Sequence, residues 1–262
     1  HGLSLAKGKY VLFLDSDDYI EPDLISCVTK ELNKGNDIIF WAYNTVDTTY
    51  SNKQCYFDIY SINDVTYNEG MQALKNILMK KKHWIWTGSA IYSRAFLYKY
   101  NLSFNSNHIN GEDQEFIFST LVYAEKVKYV PKVLSYYLIR DNSISTSFKI
   151  RKFDSTSALE KVYELLGKCN NVDLVILKSL NNYIVENYLY VYKSGLKEHN
   201  SNFMRNQLTL LDDIYPLYHE KMKKRMKEYR SNSKISNFEV YIAKKSMLIY
   251  GVVYRLIRKV KW

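Results

Sequence analysis

Cysteine is scarce in this chain: 262 residues include only Cys27, Cys55 and Cys169. An odd number without paired spacing argues against a disulfide framework and against a zinc site, and it suits a reducing compartment. A secretory leader is missing, and the chain opens on His1 and not on Met. A bilayer-length apolar run is missing too. The best candidate, inside Lys244–Trp262, has about a dozen apolar residues where roughly 20 are needed. Acidic residues are the minority charge, 27 against 37 Lys and Arg, which leaves a net charge of +10. Nucleic acid, an anionic membrane or an anionic substrate could each answer to that charge. The excess is not uniform. After Glu220 come thirteen Lys and Arg against Glu228 and Glu239 alone. No basic-aromatic nucleic-acid module is recognisable, so nucleic acid is not an expected partner.

What is present begins with an ordinary globular composition, 47% hydrophobic and 24% charged, and an unusual 25 tyrosines. Tyrosines in that number belong at core margins and in clefts, where a ring is buried and a hydroxyl stays wet. The most telling stretch is Lys9 to Asp23, KYVLFLDSDDYIEPD. Tyr10 to Leu14 reads as a β-strand buried on both faces. It runs straight into Asp15, Ser16, Asp17 and Asp18, at the carboxyl end where open parallel sheets bind ligands. Three carboxylates in four positions repel one another unless a cation sits between them, and a hard divalent ion is the natural guest. The plainer alternative is a solvated turn, with Asp18 or a neighbour capping the helix that Pro22 begins.

Gly2 to Asp23 resembles the middle of the donor-binding domain of family-2 glycosyltransferases, the inverting nucleotide-sugar enzymes of the GT-A fold. The family segment reads close to GL..A.G.Y..FLDSDD.I.PD, and Gly2, Leu3, Ala6, Gly8, Tyr10, Phe13 to Asp18, Ile20, Pro22 and Asp23 match it. The resemblance implies that Asp15 contacts the donor's ribose or the metal and that Asp17 holds Mn²⁺ or Mg²⁺ on the diphosphate. It also implies that the chain starts in mid-domain, with the nucleotide-base portion upstream of it. On that expectation the isolated chain binds nucleotide-sugar poorly.

NGEDQEF, Asn110 to Phe116, resembles the family's GED..F element, which makes Asp113 the general base and Glu112 its neighbour. Inverting transfer needs one carboxylate to take the acceptor hydroxyl's proton. Without the resemblance, both acids read as first-turn residues favoured by a helix dipole. A third element, Val127 to Ser145, resembles the family's strand-turn-strand ending in Y.YR...SIS, with Tyr137, Arg140, Ser143, Ile144 and Ser145 matching. Arg140 is a plausible bidentate partner for the donor diphosphate, or else a surface Arg beside Asp141.

Between these elements, Pro22–Asn33 and Glu69–Lys81 read as helices, and Asp37–Tyr43 reads as a strand completing a β-α-β unit. A hairpin is possible around Asn52-Lys53. Lys81–Leu97 reads as a strand whose Thr87-Gly88-Ser89-Ala90 core passes close to a ligand or another backbone. In the resembling enzymes this stretch lines the acceptor side. Trp84 and Trp86 fall on one side of such a strand, where an indole stacks on a sugar or simply packs. His108, five positions before Asp113, is placed to reach acceptor or metal, and equally reads as an ordinary loop histidine.

From Ile150 the pattern turns helical over Phe153–Lys168, Leu174–Ser194 and Asn202–Ile214. The reading is therefore an α/β GT-A domain over residues 1–149 and a helical C-terminal extension over 150–262. Residues 244–262 read as a basic amphipathic helix, either lying on a membrane or packed on the domain. The expected function is sugar transfer from a nucleotide-diphosphate donor to a hydroxyl, on a saccharide or lipid-linked saccharide, for cell-surface polysaccharide or glycolipid. The expected place is the cytoplasm, peripheral on the inner face of the plasma membrane. The rival reading is a catalytically inactive remnant of the fold that serves as an interaction module.

Overall fold

Strands and helices alternate through the first half of the chain, and helices alone fill the second. The computed structural model describes residues 1–49, 51–55, 65–80, 83–140, 148–170 and 172–260. In chain order the elements are α1 (Gly2–Leu5), β1 (Tyr10–Leu12), β2 (Tyr19–Ile20), α2 (Leu24–Leu32), β3 (Ile38–Val46), β4 (Asn52–Cys55), β5 (Val65–Tyr67) and α3 (Gly70–Lys80). They continue with β6 (Ala90–Ser93), α4 (Arg94–Lys99), α5 (Glu112–Tyr123) and β7 (Val127–Leu138). The rest is α6 (Asp154–Leu166), α7 (Leu174–Glu198), α8 (Ser201–Thr209), α9 (Leu211–Ile214), α10 (Tyr218–Glu228), α11 (Lys234–Lys245) and α12 (Met247–Val260). One compact unit takes in His1–Asn105 and Asp113–Ser143, and the other takes in Ser106–Glu112 and Ile144–Trp262.

The first unit is built on a mixed sheet in the order β1-β6-β3-β7-β2, with β4 added to β3 and β5 to β7. All nine residues of β3 are buried, as a central strand requires. Its residues alternate between faces. Ile39 and Trp41 pack with Leu24, Val28, Ile91 and Leu134 beneath α2. Phe40 faces the other way, with its ring 5.2 Å from that of Tyr129. The buried indole of Trp41 donates to Ser135 Oγ at 2.9 Å, so its one polar atom is satisfied.

Six local expectations are corrected here. The run Tyr10–Leu14 is not a strand buried on both faces. Only Tyr10–Leu12 is a strand, half-buried, and Leu14 is 39% exposed. β1 pairs antiparallel with β6, which separates it from β3, so the two strands are not the neighbours of a β-α-β unit. An apolar run encodes burial and not the partner that supplies it. The helix after Pro22 starts at Leu24 without a side-chain cap, so Asp18 caps nothing, and the Asp23 carboxylate pairs with Lys132.

The hairpin lies earlier than Asn52-Lys53. Asp47 Oδ1 accepts from the amides of Thr49 and Ser51 at 2.9 and 3.0 Å, and β4 then returns along β3. Thr87–Ser89 is a 3₁₀ turn leading into β6 and not part of a strand. Finally, Val127–Leu138 is one strand and not strand-turn-strand. The register against β3 shifts at Trp41/Ala42, opposite Val130 and Val133. Pro131, which has no amide to donate, sits in that irregularity.

In the second unit α6 and α10 pack on α7. Arg225 reaches Glu160 through two hydrogen bonds of 2.8 and 2.9 Å, both side chains almost wholly buried, and its guanidinium lies 3.4 Å from the Tyr163 ring centroid. The expected single helix from Lys244 is interrupted. Ser246 is extended, ends α11, and its Oγ accepts from the Ile249 amide at 3.3 Å to start α12. Of the tyrosines on α7, Tyr188 and Tyr192 are core residues and Tyr190 is exposed. Ser143, Ile144, Ser145, Lys261 and Trp262 lie outside the described residues.

Candidate active site

The segment that leaves β1 is held by rings. Phe13 packs against Phe104, Phe116 and Tyr92 with centroid distances of 5.0, 5.3 and 6.0 Å, and Phe104 stacks on Phe116 at 4.3 Å. Phe13 stands two residues before Asp15, and Phe116 stands three residues after Asp113 on α5. One aromatic cluster therefore ties the acidic turn to the start of the helix that carries the second acidic element.

The turn itself is tight, with the Asp18 amide donating to the Asp15 carbonyl at 3.2 Å. Asp18 swings back into the protein, where its Oδ1 accepts from the Leu138 amide at 2.7 Å. That bond fastens the turn to the end of β7. Burial pushes the Asp18 carboxyl up to about 6. The Leu138 amide opposes the rise, and the neighbouring Asp17 and Asp15 charges add to it. Among the described residues its Oδ2 is buried without a hydrogen-bond partner. Arg140, two residues past β7, meets Asp17 with Nη2 3.1 Å from Oδ2. The guanidinium expected on a donor diphosphate thus rests on a carboxylate of the same turn.

Tyr137 feels the charge of several of these groups. Its hydroxyl is held above its ordinary value by burial first, then by the charges of Asp18, Asp17, Asp15 and Asp113. The buried Tyr92 hydroxyl is likewise raised, by burial and by Asp113. Both acidic elements therefore act on one phenol, although about a hundred residues of sequence separate them. Beside it, Trp86 lies 5.4 Å from both Tyr43 and Tyr137, ring to ring. Gly88 makes room for the indole: a Cβ there would meet the Trp86 ring at 2.4 Å. Trp84 does not share this position and packs edge-on to Phe118 at 6.2 Å.

His108 and Glu112 fall in the second unit, with the segment Ser106–Glu112. His108 is buried there beside Asp154, a fully buried carboxylate that accepts from the Ile109 amide at 2.9 Å and pairs with Arg151 at 2.8 Å. Gly111, at φ +80°, passes so close to α6 that a Cβ would lie 2.5 Å from Ser155 Cα. The burial of Asp18 against Leu138, the charges around Tyr137, and Asp154 are what sequence reasoning did not show. The only signal for Asp18 was its place as the fourth residue of DSDD, and nothing local marks Asp154.

Among the described residues no group of three or more His, Cys, Asp and Glu side chains is arranged to hold a metal ion. The chemistry of the turn still fits a cation that arrives with a donor. Mg²⁺ is usually bound through one or two carboxylates plus substrate phosphates, and Asp15 and Asp17 supply two.

Residues 1–100 match the family model described as Glycosyl transferase family 2. That segment of the chain is similar to glycosyltransferase family 2. The chain is 27% identical over 189 residues to the putative glycosyltransferase EpsH of Bacillus subtilis (strain 168), covering 70% of this chain and 53% of EpsH. It is 25% identical over 201 residues to the uncharacterized glycosyltransferase EpsJ of the same strain, covering 72% of this chain and 55% of EpsJ. The chain thus spans about half the length of the curated relatives it matches. Among solved structures, S. aureus TarS 1-349 in complex with UDP-GlcNAc superposes with a TM-score of 0.68 at 17% identity, over 98% of this chain and 70% of TarS 1-349. The same protein with UDP gives 0.65. At that identity the likeness concerns the fold, and it agrees with the α/β GT-A fold and helical C-terminal part that the family-2 resemblance implied.

Proposed function

We propose that this chain transfers a sugar from a nucleotide-diphosphate donor to an acceptor hydroxyl with inversion, in the synthesis of a cell-surface polysaccharide or glycolipid. The observation that carries the reading is the packing of Phe13 on Phe116 at 5.3 Å, which ties the DSDD turn to the start of the helix that bears Asp113. The TarS complexes hold UDP-GlcNAc and UDP, which favours a uridine-diphosphate sugar as donor here.

Asp113 is the general base in this reading. It takes the acceptor's proton as that oxygen attacks the anomeric carbon and the bond to the diphosphate breaks. Glu112 precedes it at the start of α5. Trp86, against Gly88, offers an indole face to a sugar ring on the acceptor side. Asp15 and Asp17 hold the donor together with Mn²⁺ or Mg²⁺, which when bound neutralises charge on the leaving diphosphate. Arg140 exchanges Asp17 for the diphosphate oxygens as the donor enters. The acceptor is a saccharide or a lipid-linked saccharide, met on the cytoplasmic side of the membrane. Among the described residues no helix is long and apolar enough to cross a membrane.

The test is UDP release from UDP-GlcNAc in the presence of Mn²⁺ and a saccharide acceptor. Asp113→Asn, which keeps the size and removes the base, lowers kcat about 10²- to 10⁴-fold. Unchanged turnover in Asp113→Asn refutes the assignment of the base. The second reading, an inactive member of the fold, is favoured by the Arg140–Asp17 pair, which occupies a donor-side carboxylate. A wild-type chain that binds UDP and releases none from a donor would establish it.

A further inference from the structure

Two adjoining helices of the second unit stand with large apolar side chains in solvent. On α11, Ile235 is 76% exposed, Phe238 59% and Tyr241 55%. On α12, Ile249 is 56% exposed, Leu256 59% and Ile257 54%. The spacings of three on α11 and of seven and eight on α12 keep each set on one side of its helix. Between the two helices runs a groove of about 310 Å³ floored by Ile242, Tyr250 and Val253. The hairpin is not loosely attached. Val240 and Ala243 are buried on its other side, and the Tyr192 hydroxyl of α7 donates to the Met247 carbonyl at 2.9 Å. The exposed face belongs to an anchored element, and contiguous apolar surface on an anchored element marks an interaction site.

Charge identifies the occupant. Residues 234–260 contain Lys234, Lys244, Lys245, Arg255, Arg258 and Lys259 against a single acid, Glu239. That acid is already paired with Lys193 at 3.4 Å. The ammonium groups of Lys244 and Lys245 lie 6.0 and 5.9 Å from the Tyr241 ring, so cations rim the apolar patch. A second copy docking through the same face would set like cations, Lys244 and Lys245 among them, against one another in a chain already at +10. An anionic bilayer has the complementary pattern. Its phosphates meet Lys and Arg, its interface accepts the Tyr ring, and its acyl boundary takes the aliphatic side chains. Helices of 12 and 14 residues are roughly 18 and 21 Å long, which suits lying in the interface plane.

We propose that the α11–α12 hairpin is an in-plane docking face for an anionic phospholipid bilayer. It starts at Lys234, ten residues before the basic stretch that sequence alone singles out. It gives the membrane-side acceptor proposed above a place to be met, and it rests on that reading for its purpose only, since its test does not involve sugar transfer.

The experiment is cosedimentation of the full chain with vesicles of mixed phosphatidylglycerol and phosphatidylcholine, and with phosphatidylcholine alone. The chain pellets with the first at low salt, much less at high salt, and not with the second. The triple variant Phe238→Ser/Ile249→Ser/Leu256→Ser lowers the partition at least about tenfold. Ile25→Ser, which changes an equally exposed isoleucine on α2, leaves it unchanged. Should the triple variant not fold, the exposed pair Lys244→Glu/Lys245→Glu stands in for it, with the same loss expected. A wild-type chain that stays in the supernatant overturns the proposal. So does a folded triple variant that pellets like wild type, or a concentration-dependent dimer that the variant dissolves while vesicle binding is unaffected.

Discussion

Two glycines with left-handed backbone, Gly35 at φ +72° and Gly111 at φ +80°, make a matched pair for one experiment. Replacing either by alanine puts a Cβ where the carbonyl crowds it, which costs about 1–2 kcal/mol. Part of that is offset because alanine restricts the unfolded chain, by about 0.4–1 kcal/mol. At Gly35 nothing lies within 4 Å of the new Cβ. Gly35→Ala therefore destabilises by only about 0.5–1 kcal/mol. At Gly111 the same Cβ lands 2.5 Å from Ser155 Cα and 2.9 Å from Ser155 Cβ. A backbone atom of a helix cannot rotate away, so an overpacking term of about 1–3 kcal/mol is added. Gly111→Ala should then destabilise by about 2–4 kcal/mol in total. Urea unfolding followed by circular dichroism measures both variants against wild type, with equal slopes required for the comparison. If Asp113, two residues on, is the base proposed above, a displaced backbone is also felt in turnover, where about 1 Å of misplacement costs about 10²-fold. If Gly111→Ala unfolds at the same urea concentration as Gly35→Ala, the loop is not seated on α6 and the reasoning fails.

Two further outcomes follow from the second unit. Glu160→Gln leaves the Arg225 guanidinium buried without its counter-charge and destabilises by about 3–5 kcal/mol, whereas Glu160→Met/Arg225→Met recovers most of that loss in the same urea titration. Asp154 gives a pH dependence: burial holds its carboxyl above 3.8, against the pull of the Ile109 amide, Arg151 and His108. The folded state then binds the proton more tightly than the unfolded state, so this group's contribution is fullest below 3.8 and is lost as pH rises through the folded value. Thermal midpoints measured upward from that pH should fall more in wild type than in Asp154→Asn, and parallel curves would refute the assignment.

The linear sequence determined whatever depends on near neighbours. Three- and four-residue spacing of apolar side chains is enough to form α2, α3, α5, α6 and α7 close to where they were expected, because a helix satisfies its backbone within itself. The strand Ile38–Val46 and the acidic turn after Leu14 were legible for the same local reason, and so was the similarity of residues 1–100 to family 2, from a motif carried in consecutive residues.

Tertiary structure decided the rest, through pairings that no spacing encodes. It placed β6 between β1 and β3, made one bulged strand of Val127–Leu138, and split the C-terminal basic helix at Ser246. It buried Asp18 against Leu138, 120 residues away, and closed Arg140 on Asp17. It also packed Phe13 against Phe116, tying the DSDD turn to the helix that carries Asp113. A carboxylate's charge and proton affinity depend on what desolvates it and which charges face it, and both are properties of the folded neighbourhood and not of the residue.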